Sequence, residues 1–250
     1  MLKNKLFAIS PSDKNGGLAS LVLNNDSDHM NWIEGTGTWG VPFGFEFVRM
    51  EKNGNSVTAY YKRDTLLVTA VRTMENNLLR ERYSFRNSGT FDLYFLRGDI
   101  GLYANFSDDY DSSPVCITSR CNAHIWSGGE NSYIHALKMA PFHTELALVL
   151  TKGSLDSYSI RRRQDNPSVD RGDFLLHPKP FHLLPGETRE LEWIVTAFPR
   201  GKFKETMLAQ PNGVFISFEQ ETIFSGESFH IRLECSKTAP HQVSCNGCIL

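Results

Sequence analysis

The densest grouping of side chains able to do chemistry is the run Arg120–Trp126. In an extended strand, alternation places Arg120, Asn122, His124 and Trp126 on one face and Cys121, Ala123 and Ile125 on the other. Sugars are held by stacking their C–H faces on aromatic rings and by pairing their hydroxyls with planar polar side chains. A row of Arg, Asn, His and Trp offers both. The same row also fits a polar outer face whose one aromatic shields a neighbouring strand. Trp32, Glu34 and Trp39 form a second grouping around Gly35-Thr36-Gly37-Thr38-Trp39-Gly40. Two indoles beside flexible glycines suit a cap over a sugar ring, and they equally suit two anchors folded onto a core.

Metal and cofactor chemistry finds little support. Asp108, Asp109 and Asp111 offer oxygens suited to calcium, but no EF-hand spacing follows, and a solvated loop accounts for them. Near the end, Cys235, His241, Cys245 and Cys248 carry soft ligands at a spacing a zinc site would accept, with a single Cys-x2-Cys pair as its basis. No glycine-rich phosphate loop and no Ser/His/Asp arrangement stands out. The expectation is no metal and no cofactor.

Composition narrows the field further. The formal net charge is −2, so no basic excess draws a phosphate backbone and nucleic acid is not an expected partner. The longest clean apolar run, Leu146–Leu150, is far too short to cross a membrane as a helix, and Leu6–Ile9 is too short for a secretory core. The 5 cysteines are an odd count, read as reduced thiols in a cytoplasm.

The elements that must position these residues read as strands. Short apolar or alternating runs are punctuated by Gly, Asn, Asp, Ser and Pro: Leu6–Ser10, Gly17–Leu23, Phe43–Met50, Val57–Lys62, Leu66–Thr73, Leu79–Arg86 and Phe91–Arg97. They continue as Ile117–Trp126, Tyr133–Met139, Glu145–Thr151, Ser157–Arg162, Phe174–His177 and Glu190–Thr196. In Leu79–Arg86, Leu79, Glu81, Tyr83 and Phe85 share the face turned inward. Phe91–Leu96 is apolar on both faces and predicts a central strand covered on both sides. Only Lys202–Gln210 suits a short helix. Many strands, short turns and few helices predict an all-β sandwich or barrel. Past Pro211-Asn212-Gly213, Val214–Glu219 and Phe229–Cys235 read as two further strands, too few for a core of their own.

Four stretches carry a resemblance: Asp28–Gly35 (Asp-His-Met-Asn-Trp-Ile-Glu-Gly), Arg97–Tyr103 (Arg-Gly-Asp-Ile-Gly-Leu-Tyr), Arg120–Glu130 and Asp170–Pro178. Together they resemble the amino-terminal region of bacterial proteins grouped with the six-hairpin glycosidases. In that superfamily a β-supersandwich similar to galactose mutarotase precedes an (α/α)6 catalytic barrel, as in glucoamylases and maltose or cellobiose phosphorylases. The resemblance covers about residues 1–205. It implies a large antiparallel β-supersandwich with few short helices. The two strands over 206–250 read as a late addition to the main sheet or, the favoured reading, as a linker and the opening of an incomplete, truncated second β segment.

The resemblance places the catalytic carboxylates on a helical barrel that this sequence lacks, so no catalytic residue is carried over. The implied role is that of a non-catalytic amino-terminal domain of a glycoside hydrolase or phosphorylase-like enzyme. Its partners would be carbohydrate, the helical barrel of the parent protein and, through an exposed docking surface, a second copy. Trp32, Glu34, Trp39, Asp99, Arg120, Asn122, His124 and Trp126 are the expected ligand or inter-domain contacts. A free carbohydrate-binding module and a stand-alone enzyme are the competing classes. For a glycosidase, Asp99, Glu130 and Asp173 are the first carboxyls to test. For an aldose 1-epimerase, His124 with Glu130 or Glu192 would serve as acid and base, although that family's His-containing motif is missing.

Overall fold

Leu79, Glu81, Tyr83 and Phe85 all turn inward and are buried, while Arg82 and Arg86 on the opposite face are exposed. That alternation is repeated through most of the molecule. The computed structural model describes residues 1–108, 112–140, 142–162, 172–210, 213–220, 222 and 224–236. Among them the strands in chain order are β1 (Leu2–Lys3), β2 (Phe7–Pro11), β3 (Leu18–Leu23), β4 (Glu46–Asn53), β5 (Ser56–Arg63) and β6 (Leu66–Glu75). Then come β7 (Leu78–Asn87), β8 (Leu93–Phe95), β9 (Leu102–Tyr103), helix α1 (Ser113–Thr118), β10 (Cys121–Trp126), β11 (Tyr133–Lys138) and β12 (Thr144–Lys152). The chain continues through β13 (Leu155–Arg162), β14 (Gly172–Pro178), β15 (Phe181–Leu183), β16 (Thr188–Pro199), helix α2 (Phe203–Leu208), β17 (Val214–Phe218) and β18 (Ile231–Cys235). The fold is all-β with two short helices among the described residues, and no helix there is long and apolar enough to cross a membrane.

The chain divides into two compact units, Met1–Arg200 and Gly201–Leu250. In the first, an eight-stranded antiparallel sheet runs in the order β10-β11-β12-β16-β7-β6-β5-β4. Smaller sheets, β1-β2-β3, β13-β14-β9 and β15-β8, supply the opposing layer. One continuous core joins the layers: Phe7, Leu21, Leu102, Leu176 and Leu183 from the small sheets meet Val68, Phe85, Leu148 and Trp193 from the large one. In the second unit, β17 and β18 pair antiparallel and Phe203 sets its ring edge-on to Phe215.

Two strand readings need correction. The strands buried on both faces are β12, where Glu145–Leu150 are all buried, and β16, where residues 191–195 are, and not Phe91–Leu96. The Asn87-Ser88-Gly89 and Arg97-Gly98 turns leave only Leu93–Phe95 to pair, with β15 alone; Phe95 faces the core, while Phe91, Tyr94 and Leu96 are 82%, 69% and 71% exposed. The run Ile117–Trp126 opens in α1 instead of in a strand. Ser112 Oγ accepts the Val115 N–H and Pro114 sits in the first turn, an N-terminal signature that starts a helix of one and a half turns.

Candidate functional site

β10 is an edge strand of the large sheet, and the predicted alternation holds along most of it: Asn122, His124 and Trp126 are exposed on the outer face. The register with β11 sets His124 opposite His135 and Trp126 opposite Tyr133. The two imidazoles lie 6.3 Å apart, centroid to centroid. His135 Nε2 is 2.8 Å from Glu145 Oε2 on β12, and the Phe198 ring of β16 packs 5.7 Å from the His135 ring. Arg200 Nε lies 3.7 Å from the other Glu145 oxygen. Burial pushes the His135 imidazole below its ordinary range, and it does so more strongly than Glu145 pulls it upward; His124 adds to the lowering. The neutral ring then donates its Nε2–H to Glu145, which fixes the tautomer and leaves Nδ1 able to accept a proton. A carboxylate-oriented imidazole beside a second imidazole is equipped for proton transfer, and the neighbouring Trp126 and Tyr133 are equipped to stack on a ring.

Beside the start of β10 lies a cleft of about 150 Å³, lined in part by Asp108, Arg120, Asn122, Ile125 and Phe174. Arg120 leads into β10 and its Nε pairs with Asp108 Oδ1 at 2.7 Å. Glu34 is held nearby by a different route. Asn105 is buried and its side-chain amide donates both to Glu34 Oε2 at 3.0 Å and to Asp173 Oδ1 at 2.9 Å, while its Oδ1 accepts the Phe174 N–H. One amide therefore sets two carboxylates side by side.

The two tryptophans of the glycine-rich stretch are buried anchors. Trp32 and Trp39 are 0% and 2% exposed and fold onto the core. Trp39 Nε1 donates to Glu81 Oε2 at 2.9 Å, deep in the core. Asp99 lies apart from β10. Its Oδ2 accepts the Leu96 N–H at 2.7 Å and closes the Leu96–Asp99 turn, at the rim of a separate groove. Glu130 is exposed, and Glu192 is tied up by Arg80, Arg82 and Thr151. Neither Glu130 nor Glu192 is the carboxylate that meets a histidine on this face; Glu145 is. Among the described residues no cluster of His, Cys, Asp and Glu has the makings of a metal site. His241, Cys245, Cys248, Asp109 and Asp111 lie outside the described residues.

The four stretches singled out in the sequence are stitched together. Lys138 of β11 donates to Asp26 at 2.8 Å and to Asp28 at 2.5 Å. The Trp32 carbonyl accepts the Ser107 N–H, and the Ser107 carbonyl accepts the N–H of Cys121. His177, buried on β14, bridges the Ile100 carbonyl and Ser159 Oγ, both at 2.7 Å. The sequence alone does not single out Asn105, His135 or Glu145. The only signal was Glu145 abutting the longest apolar run; the pairing that gives His135 and Asn105 their roles is tertiary.

No protein-family model matches the chain, and no curated protein does. Among solved structures, a polysaccharide lyase superposes with a TM-score of 0.77 at 25% identity, covering 94% of this chain and 38% of the lyase. An Escherichia coli K12 protein assigned as an aldose 1-epimerase gives 0.53 at 11% identity, over 79% of this chain and 98% of its own. A galactose mutarotase-like protein from Lactobacillus casei gives 0.50 at 10% identity, over 79% and 99%. The chain thus spans well under half of the lyase. Its fold is the galactose mutarotase-like supersandwich.

Proposed function

We propose that this chain is the supersandwich domain of a larger carbohydrate-active enzyme, non-catalytic in itself, that packs against a helical catalytic domain and helps shape its sugar site. The observation that carries this reading is the outer face of β10, where Asn122, His124 and Trp126 stand exposed beside Tyr133, His135 and Glu145. The likeness to 38% of a polysaccharide lyase supports a part played within a longer protein. In this reading residues 206–250 open a second β segment, the parent is a bacterial six-hairpin glycosidase-like protein, and the free thiols of Cys116 and Cys121 fit a reducing cytoplasm. The reading frame downstream of codon 250 tests it. A helix-rich continuation whose glycan-cleaving activity falls at least tenfold in Trp126→Ala supports the role. A helix-rich continuation indifferent to Trp126 and His124, or none at all, removes it.

A second reading is favoured by the His135–Glu145 pair: a stand-alone sugar epimerase with that pair as acid and base. Purified chain would then speed the interconversion of aldose anomers, and His135→Gln would abolish the effect. A rate equal to buffer eliminates it.

A further inference from the structure

The groove that holds Asp99 is far from β10 in the sheet order and is built differently. It is about 310 Å³ and opens between the β5–β6 turn and β8, with Arg63, Asp64, Thr65, Tyr94 and Asp99 on its walls. Tyr94 is 69% exposed, yet its ring is not loose. It is the cross-strand partner of His182 on β15, and the two rings stack at 5.7 Å with 18° between their planes. A stacked pair presents one flat aromatic face to solvent at little cost in side-chain entropy. Arg63 is fixed as well: its guanidinium lies 4.5 Å from the Phe45 ring centroid and its Nη1 donates to the Asp99 carbonyl at 3.1 Å. The groove therefore combines a pre-set aromatic platform, one guanidinium and two carboxylates, Asp64 and Asp99.

We infer that this groove binds a neutral hexopyranose unit of an oligosaccharide, with Tyr94 as the stacking platform. Carboxylates accept hydrogen bonds from sugar hydroxyls and a guanidinium donates to sugar oxygens, so both sides of each hydroxyl are served. Two carboxylates against one guanidinium disfavour a uronate. The mix of charges also suits hydroxyls better than an apolar side chain of a protein partner. The site shares with the proposed function the premise that the chain handles carbohydrate, but it does not depend on a catalytic partner or on β10.

Isothermal titration of the whole chain with cellohexaose, mannohexaose, maltohexaose and oligogalacturonate tests it. The expected result is binding of at least one neutral probe, weakened about tenfold or more in Tyr94→Ala and retained in Tyr94→Phe. Tyr94 is exposed enough that its replacement leaves the core intact, and circular dichroism checks that. No binding of any neutral probe overturns the inference, as does preference for oligogalacturonate. Loss in Trp126→Ala with Tyr94→Ala unaffected also overturns it, and would move the sugar to β10, where the proposed function places it.

Discussion

Glu81 receives four donors, one of them the Tyr83 hydroxyl at 3.4 Å from Oε1. Its Oε2 accepts the indole N–H groups of Trp39 and Trp193, at 2.9 and 2.7 Å, and its Oε1 accepts Arg72 Nε at 2.7 Å. Arg72, also fully buried, spends its other donors on the Gly16 and Gly40 carbonyls, at 2.7 and 3.0 Å. Glu81→Gln would leave the guanidinium without its counter-charge and turn an amide N–H₂ towards existing donors. The expected loss is about 3–5 kcal/mol, read as a lowered midpoint in urea; an unchanged midpoint would contradict the arrangement. The sequence placed Glu81 on one strand face with Leu79, Tyr83 and Phe85. It could not supply Arg72, Trp39 or Trp193, because those partners come from three other segments and meet only once the layers close. His135 makes a pH-dependent contribution on the outer face. Its folded pKa lies below its ordinary value, chiefly through burial, so the unfolded chain binds the proton more readily. Stability from this group is fully present above about pH 6.5 and is lost as pH falls through the depressed folded value. Denaturation midpoints should drop between about pH 7.5 and 5, and His135→Gln, which keeps a donor for Glu145, should flatten part of that drop. An equal drop in the variant would assign the dependence to other groups.

At the level of elements, the two edges of the large sheet differ. β4 carries Glu46, Arg49, Glu51 and Lys52 and a register shift between Phe47 and Arg49, devices that discourage edge pairing. β10, Cys-Asn-Ala-His-Ile-Trp, has no formal charge. An edge without these guards fits a strand that meets something in the working protein. β10 was legible from alternation alone, since a period of two needs no partner. The helix before it was not, because six residues carry too little periodicity to outweigh the apolar Ile117 that seemed to extend the strand. Gly128 holds the end of this edge in place. A Cβ there would sit 2.0 Å from Trp126 Nε1, so the indole lies directly over the glycine. Gly128→Ala should push the ring off its seat while leaving the buried core untouched. The expected signature is a shifted Trp126 fluorescence maximum with a stability change of about 1 kcal/mol or less. If the emission of Gly128→Ala equals that of the parent after the Trp126→Phe background is subtracted, the indole does not rest there.

Across the first unit as a whole, the question is whether the small sheets and the large sheet come apart together. Much of that unit's architecture was readable because its strands alternate or run apolar. The short strands β1, β9 and β15, of two or three residues, were not, since they exist only as partners for other strands. Cys121 reports on the closure between layers. It lies at the start of β10, buried in the shared core, with its N–H bound to the Ser107 carbonyl and its thiol near the Trp32 and Ser107 carbonyls. Burial pushes its thiol pKa up to about 12, so almost no thiolate forms in the native state at neutral pH. Its two neighbours, the loop that carries Trp32 and the loop that carries Ser107, cover the thiol, and a thiol reagent gains access only if they lift away from β10. If the layers separate cooperatively, alkylation of Cys121, followed by mass spectrometry of its peptide, should be negligible in buffer and should rise with urea in step with the loss of buried tryptophan fluorescence. Exposed Cys235 should be modified at once and serves as the internal reference. Labelling of Cys121 well below the fluorescence transition would mean that the β10 edge opens independently. That result would place the local motion at the same strand on which the proposed contact with sugar or with a catalytic domain depends.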